Sequence, residues 1–196
     1  MTRSIAADQP DRLRLVAIAT GGFGLIVTPV LMAAWQAETD WFLIIGRMYF
    51  PAYVGSLAGM LYFRSRLRVK PVFWGRVGFW IAFVALFLGL VGDVGTFWSD
   101  DSNFSVRSLT TIQATFFPFD LLGAAIAQVG LLYYGLSLVW SNVVRNRFGW
   151  WLAGLAAVGL PLSFLHIPSG TIFATTTFWV AAAIWHWSDE TSPERA

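Results

Sequence analysis

Six runs of about 20 mainly apolar residues constrain the fold of this 196-residue chain more than any other feature of its sequence. A helix of that length crosses the ~30 Å hydrocarbon core of a bilayer, because each residue adds about 1.5 Å. The runs cover residues 15–35, 41–63, 77–98, 116–140, 148–167 and 171–187. We therefore expect an all-α, polytopic integral membrane protein with six transmembrane helices in a single transmembrane domain.

The composition supports this class and excludes several others. Hydrophobic residues make up 57% of the chain and charged residues only 12%, about half the ~25% usual in soluble domains. The absence of cysteine excludes disulfides, iron–sulfur clusters and thiol catalysis. No phosphate-binding or dinucleotide-binding motif is present, and two histidines are too few for a histidine-rich metal centre. We accordingly expect no cofactor and no bound metal.

The positions of the basic residues predict the orientation of the helices. With six spans, eleven of the 13 Lys and Arg residues fall on one side of the membrane. They are Arg3, Arg12, Arg14, Arg64, Arg66, Arg68, Lys70, Arg76, Arg145, Arg147 and Arg195. Loops rich in Lys and Arg remain in the cytoplasm, so both termini are predicted to face the cytoplasm. The predicted location is the cytoplasmic (inner) membrane of a cell. This rule also explains the basic isoelectric point, so no nucleic-acid partner is expected.

Tryptophan gives an independent indication of the same boundaries. Most of the 11 Trp residues lie near the end of a predicted span, where an indole ring prefers the headgroup region. Only Trp179 falls in the middle of a span. The first apolar run exceeds the 7–15 residues of a signal-peptide core, and no small-residue cleavage site follows it, so we expect no cleaved signal peptide.

Two local patterns leave alternatives open. Tyr49-Phe50-Pro51 and Phe116-Phe117-Pro118 begin helices 2 and 4, and similar Arg-Gly-aromatic sequences begin helices 3 and 5. This similarity suggests either a weak repeat of helices 2–3 and 4–5, or only the residues that any membrane interface selects. Apolar residues at helical spacing in 106–116 predict either a short helix on the outer surface or an early start of helix 4.

Four polar residues within the spans are the best candidates for function, because such residues are rare in membranes. Arg47, Asp93, Asp120 and His166 lie on helices 2, 3, 4 and 5. Each is 16–20 residues from the inner end of its helix, which corresponds to a height of roughly 24 to 30 Å. All four are therefore predicted in the outer leaflet or at its edge, with Gln113 and His166 near the rim.

Helical spacing places each charge on a face that also carries small residues. Asp120 shares its face with Gly123, Ala124 and Ala127, and such stripes pack against other helices rather than lipid. We therefore hypothesise that Arg47 pairs with Asp93, Asp120 or both in a cavity open to the outside. The alternatives are a purely structural ion pair, or unrelated charges at the interface.

The sequence Gly92-Asp93-Val94-Gly95 also has two interpretations. Glycines around an acid weaken a helix and expose carbonyl groups, as in the broken helices of transporter sites. Alternatively, Gly89 and Gly92 let another helix approach closely, and this interpretation is favoured.

Three functions remain open from the sequence alone. The leading hypothesis is binding or translocation of a small solute or lipid-like ligand, with Arg47, Asp93, Asp120, Gln113 and His166 as ligand-binding residues. The second is an accessory or assembly subunit, whose partner is another membrane subunit. The third is an enzyme acting on a lipid or isoprenoid, with Asp93 or Asp120 as acid or base. Membrane lipids are expected partners in every case.

Overall fold

The described part of the chain is helical throughout. A computed structural model describes residues 5–37, 41–67, 71–99, 111–141, 146–164 and 168–190. Within these ranges there is no β-strand, and the helices are α1 (Ile5–Gln36), α2 (Trp41–Arg47), α3 (Phe50–Arg66), α4 (Phe73–Trp98), α5 (Thr111–Trp140), α6 (Asn146–Phe164) and α7 (Pro168–Glu190). The all-α prediction is confirmed, and the first and the last four predicted runs each correspond to one helix with shifted ends.

The second predicted run is not one helix but two. α2 ends at Arg47 and α3 begins at Phe50, with Met48 and Tyr49 forming a turn between them. Pro51 explains the break, because its ring has no N–H and would clash with the carbonyl of Arg47 in a continuous helix. The backbone N–H groups of Met48 and Tyr49 instead donate to the carbonyl oxygens three residues earlier, and each of these hydrogen bonds is 3.0 Å long.

The corresponding sequence on α5 behaves differently. Pro118 lies inside α5, which is continuous from Thr111 to Trp140. The two aromatic-aromatic-Pro motifs therefore do not produce the same local structure, and they give the suggested repeat no support. For the described residues, α5 simply starts early at Thr111. The upstream part of the 106–116 surface-helix hypothesis lies outside the described residues.

Close contact between α4 and α5 organises the bundle. Small residues recur on α4 every three or four positions, at Gly75, Gly78, Ala82, Ala85, Gly89 and Gly92. We call this row and the α5 residues facing it the small-residue seam. A Cβ atom added to Gly123 would lie 2.6 Å from the backbone nitrogen of Gly89, and one added to Gly78 would lie 2.8 Å from the carbonyl oxygen of Gly130. The backbones thus touch directly along an antiparallel pair.

The remaining helices pack around this pair. α1 lies against α3, where a Cβ on Gly24 would fall 2.6 Å from Cα of Ala52. α7 runs parallel to α3, since Ser56 and Thr176 share a hydrogen bond of 2.9 Å and Gly59 faces Trp179. Trp179 is fully buried, whereas the other six tryptophans with described side chains are 49–75% exposed.

The closeness of the seam gives a direct stability prediction. Gly130→Ala should lower the free energy of unfolding by about 1–3 kcal/mol, because the new methyl group would collide with the backbone of α4 at Ala82. Gly154→Ala is the matched control, since no atom lies within 4 Å of a Cβ there. It should be neutral or stabilising by up to about 1 kcal/mol. Thermal unfolding in detergent would compare the two, and equal stability would contradict direct backbone contact.

Candidate functional site

A hydrogen bond between α3 and α5 lies at the centre of the candidate site. The Tyr53 hydroxyl group donates to Oδ1 of Asp120, and both side chains are buried. Tyr53 reaches across α4 at Gly89, where an added Cβ would lie 2.8 Å from the tyrosine ring. Because residue 89 is glycine, there is room on α4 for the Tyr53 ring, which connects α3 with α5.

Asp93 lies on α4 beside this pair. Its side chain is 1% exposed, and neither carboxyl oxygen has a hydrogen-bond partner among the described residues. Asp93 and Asp120 are close enough to interact electrostatically, so two ionised carboxylates would repel each other. A buried polar group normally has a partner. Asp93 is the acid among the buried side chains, Thr96 included, whose polar atoms have none in the described part of the chain.

The small-residue seam explains why the two acids meet. Gly92 precedes Asp93, and a Cβ added there would collide with the α5 backbone at Asp120. α4 is continuous through Gly92-Asp93-Val94-Gly95, so the structure has no broken helix at this point. Of the two interpretations from the sequence, close helix packing agrees with the structure and a broken helix does not.

Arg47 does not join the two acids. Its Nε donates a hydrogen bond of 2.9 Å to the carbonyl oxygen of Phe97. The carbon of its guanidinium group lies 5.5 Å from the centre of the Trp98 ring. The last carbonyls of a helix have no partner within that helix, so the end of α4 is a natural acceptor for an arginine. Among the described residues, no ion pair links Arg47 to Asp93 or Asp120, so the expected arginine–carboxylate pair is not present there.

A third predicted site residue, Gln113, lies away from the two acids. Gln113 is fully buried near the start of α5, rather than exposed at a rim. It precedes Asp120 by about two helical turns, or roughly 10 Å. His166 lies outside the described residues. The structure thus brings together Asp93 and Asp120 from the predicted set and adds Tyr53, which no sequence pattern distinguishes from the other core aromatics.

A second polar cluster, which sequence analysis missed, connects α5, α6 and α7. Gln128 Nε2 lies 3.1 Å from Oγ1 of Thr175, and Thr171 Oγ1 lies 3.2 Å from Oγ of Ser163. Thr175 also donates to the carbonyl of Thr171. Gln128 in the middle of an apolar run was the available signal. Because these groups bond one another, the cluster joins helices and presents no unpaired group comparable with Asp93.

The chemistry of the Tyr53–Asp120–Asp93 group follows from its charges. It contains two acids and a phenol, and within the described ranges no basic side chain forms an ion pair with either acid. Such a group accepts protons or attracts a small cation. Across the described ranges, no three His, Asp or Glu residues are grouped as a metal site would require.

No protein family model, curated protein or solved structure matches this chain. Its class therefore follows from its own helices. Three helical segments are long and apolar enough to cross a membrane: Asp11–Ala34, Phe73–Trp98 and Thr111–Trp140. Shorter apolar helices cover Phe148–Ser163 and Thr171–Ile184. A helical bundle of this composition is compatible with an integral membrane protein.

The hydrogen bond of Tyr53 can be tested against a buried tyrosine that has none. Tyr53→Phe should destabilise the fold by about 1–3 kcal/mol, because it leaves Asp120 buried without its donor. Tyr134→Phe is the matched control, since the Tyr134 hydroxyl is buried without a hydrogen-bond partner in the described part of the chain. Thermal unfolding of both variants in one detergent would measure the difference. A Tyr53→Phe variant as stable as Tyr134→Phe would contradict this role.

Proposed function

We propose that the chain is an integral membrane protein of the cytoplasmic (inner) membrane, with six spans and both termini in the cytoplasm. α2 and α3 together would form the second span. The distribution of Lys and Arg supports this topology, as does the antiparallel arrangement of α4 with α5. The parallel arrangement of α3 and α7 fits as well, because in a six-span chain the second and sixth helices run in the same direction.

Within that topology, the proposed function is binding and translocation of a small cationic solute, the proton included. Asp93 carries this proposal. It is buried between apolar helices, both of its carboxyl oxygens lack a hydrogen-bond partner among the described residues, and another acid, Asp120, is close enough to repel it when both are ionised. A positively charged ligand would satisfy both acids, whereas an anionic ligand would be repelled by them.

The contrast between the two acids argues against a purely structural role for Asp93. Asp120 has a donor in Tyr53, so its burial contributes to packing. A charged acid inside a membrane helix is costly, and among the described residues Asp93 has no hydrogen bond that offsets this cost. An unpaired polar group of this kind is typical of residues on ion or proton pathways.

The described arrangement corresponds to a closed state of the proposed site. Asp93 is 1% exposed and Asp120 8%, so a ligand reaches them only after the helices shift. Asp93 lies five residues before the end of α4 at Trp98, a distance of about 7–8 Å along the helix. That end is the proposed outer end, and access from the outside is therefore the shorter route.

Replacement of the unpaired acid tests the proposal. In proteoliposomes loaded with a pH-sensitive dye, the purified chain should conduct protons when a membrane potential is imposed, and Asp93→Asn should reduce the flux at least ten-fold. Asp11→Asn removes an acid that is exposed and paired with Arg66, and it should leave the flux unchanged. Because Asn has nearly the same volume as Asp, the variant should remain folded.

A second assay covers cations other than the proton. Binding to the folded state raises the unfolding temperature, so sodium, potassium and guanidinium ions can be compared in the same chain. The cation that binds should stabilise the wild type and Asp11→Asn, but not Asp93→Asn. A wild-type response in Asp93→Asn in both assays would contradict the proposal. Co-purification with another membrane protein and no response in either assay would favour an accessory subunit instead.

A further inference from the structure

A groove of about 780 Å³ runs along the exposed face of α4, and neither Asp93 nor Asp120 lines it. Its walls are apolar and include Ile81 and Val84 from α4 and Ile126 from α5. Arg64 and Arg76 lie at one end, near the start of α4. The groove therefore has a basic end and a long apolar part, and no acidic residue lines it.

Arg64 is held in a fixed position at this basic end. Its guanidinium carbon lies 4.5 Å from the centre of the Phe79 ring and 4.8 Å from that of Trp80. Cation–π contacts of this kind orient the group without neutralising its charge. Its Nη1 atom is buried and has no hydrogen-bond partner among the described residues. The arginine thus keeps its positive charge at this end of the groove.

We propose that this groove binds one molecule of an anionic phospholipid. The phosphate of the headgroup would accept from Arg64 and Arg76, and an acyl chain would lie along Ile81, Val84 and Ile126. From Val77 to Leu88 the groove follows α4 for about 16 Å, close to half of the ~30 Å hydrocarbon core. Its length therefore matches one leaflet of a bilayer.

Charge favours a lipid of the cytoplasmic leaflet over other occupants. That leaflet carries the anionic lipids, and each basic residue near its surface contributes about 1 kcal/mol of attraction. A free phosphate would engage the arginines but leave the apolar groove empty. This inference requires only the membrane setting, and it does not depend on transport by the buried acids.

Native mass spectrometry of the full chain can test the site. The chain would be released from mixed micelles containing equal amounts of phosphatidylglycerol and phosphatidylcholine with identical acyl chains. The wild type should retain phosphatidylglycerol preferentially, and Arg64→Gln or Arg76→Gln should each reduce that preference about five-fold, the ratio that about 1 kcal/mol corresponds to. Arg66→Gln is the matched control, because Arg66 is paired with Asp11 at 3.0 Å and does not line the groove.

The apolar part of the groove needs a variant of its own. Val84→Trp should fill the space for the acyl chain and reduce lipid retention, whereas Val158→Trp places the same side chain on an exposed position of α6 outside the groove. Val84 is 51% exposed, so its replacement should leave the fold intact. If Arg66→Gln and Arg76→Gln reduced the preference for phosphatidylglycerol equally, the attraction would be general to the surface and the proposal would be overturned. Unchanged retention in Arg76→Gln and Val84→Trp would overturn it as well.

Discussion

The direct contact between the backbones of α4 and α5 is the constraint on which the rest of the structure depends. Membrane helices associate through close packing rather than through the hydrophobic effect, and small residues permit the closest approach. Here the small-residue seam extends from Gly75 to Gly92 on α4. It fixes which residues of the two helices face each other, and one of its close backbone contacts, at Gly92, adjoins Asp93 and Asp120.

That register has a chemical consequence. Two acids on neighbouring helices are held close together in an apolar interior, and among the described residues Asp120 receives a hydrogen bond, from Tyr53, while Asp93 receives none. Arg47, the one basic side chain predicted at this depth, binds the end of α4 instead. The seam thus brings together two groups that repel each other when ionised, and a proton or a small cation would relieve that repulsion.

Sequence analysis predicted the helical class and the inward faces of Asp93 and Asp120, because apolar length and small-residue spacing determine both directly. It did not predict the position of Arg47, because the depth was counted along one continuous helix. Pro51 instead imposes a turn between α2 and α3 directly after Arg47. Nor did sequence analysis identify Tyr53, because a hydroxyl group that reaches across α4 depends on the space at Gly89, which only the packing reveals. The spacing of small residues along α4 indicates the whole small-residue seam, whereas sequence analysis identified only Gly89 and Gly92 of that helix as packing residues.

We propose that Asp93, which has no hydrogen-bond partner among the described residues, exchanges protons or cations with the outside of the bundle. Labelling with dicyclohexylcarbodiimide, an apolar reagent that modifies protonated carboxyl groups, tests it most directly. Peptide mapping by mass spectrometry should find Asp93 modified, more slowly at higher pH and more slowly again in the presence of the bound cation. An Asp93 that remains unmodified at every pH, or is labelled at a rate that neither pH nor cations alter, would contradict the claim.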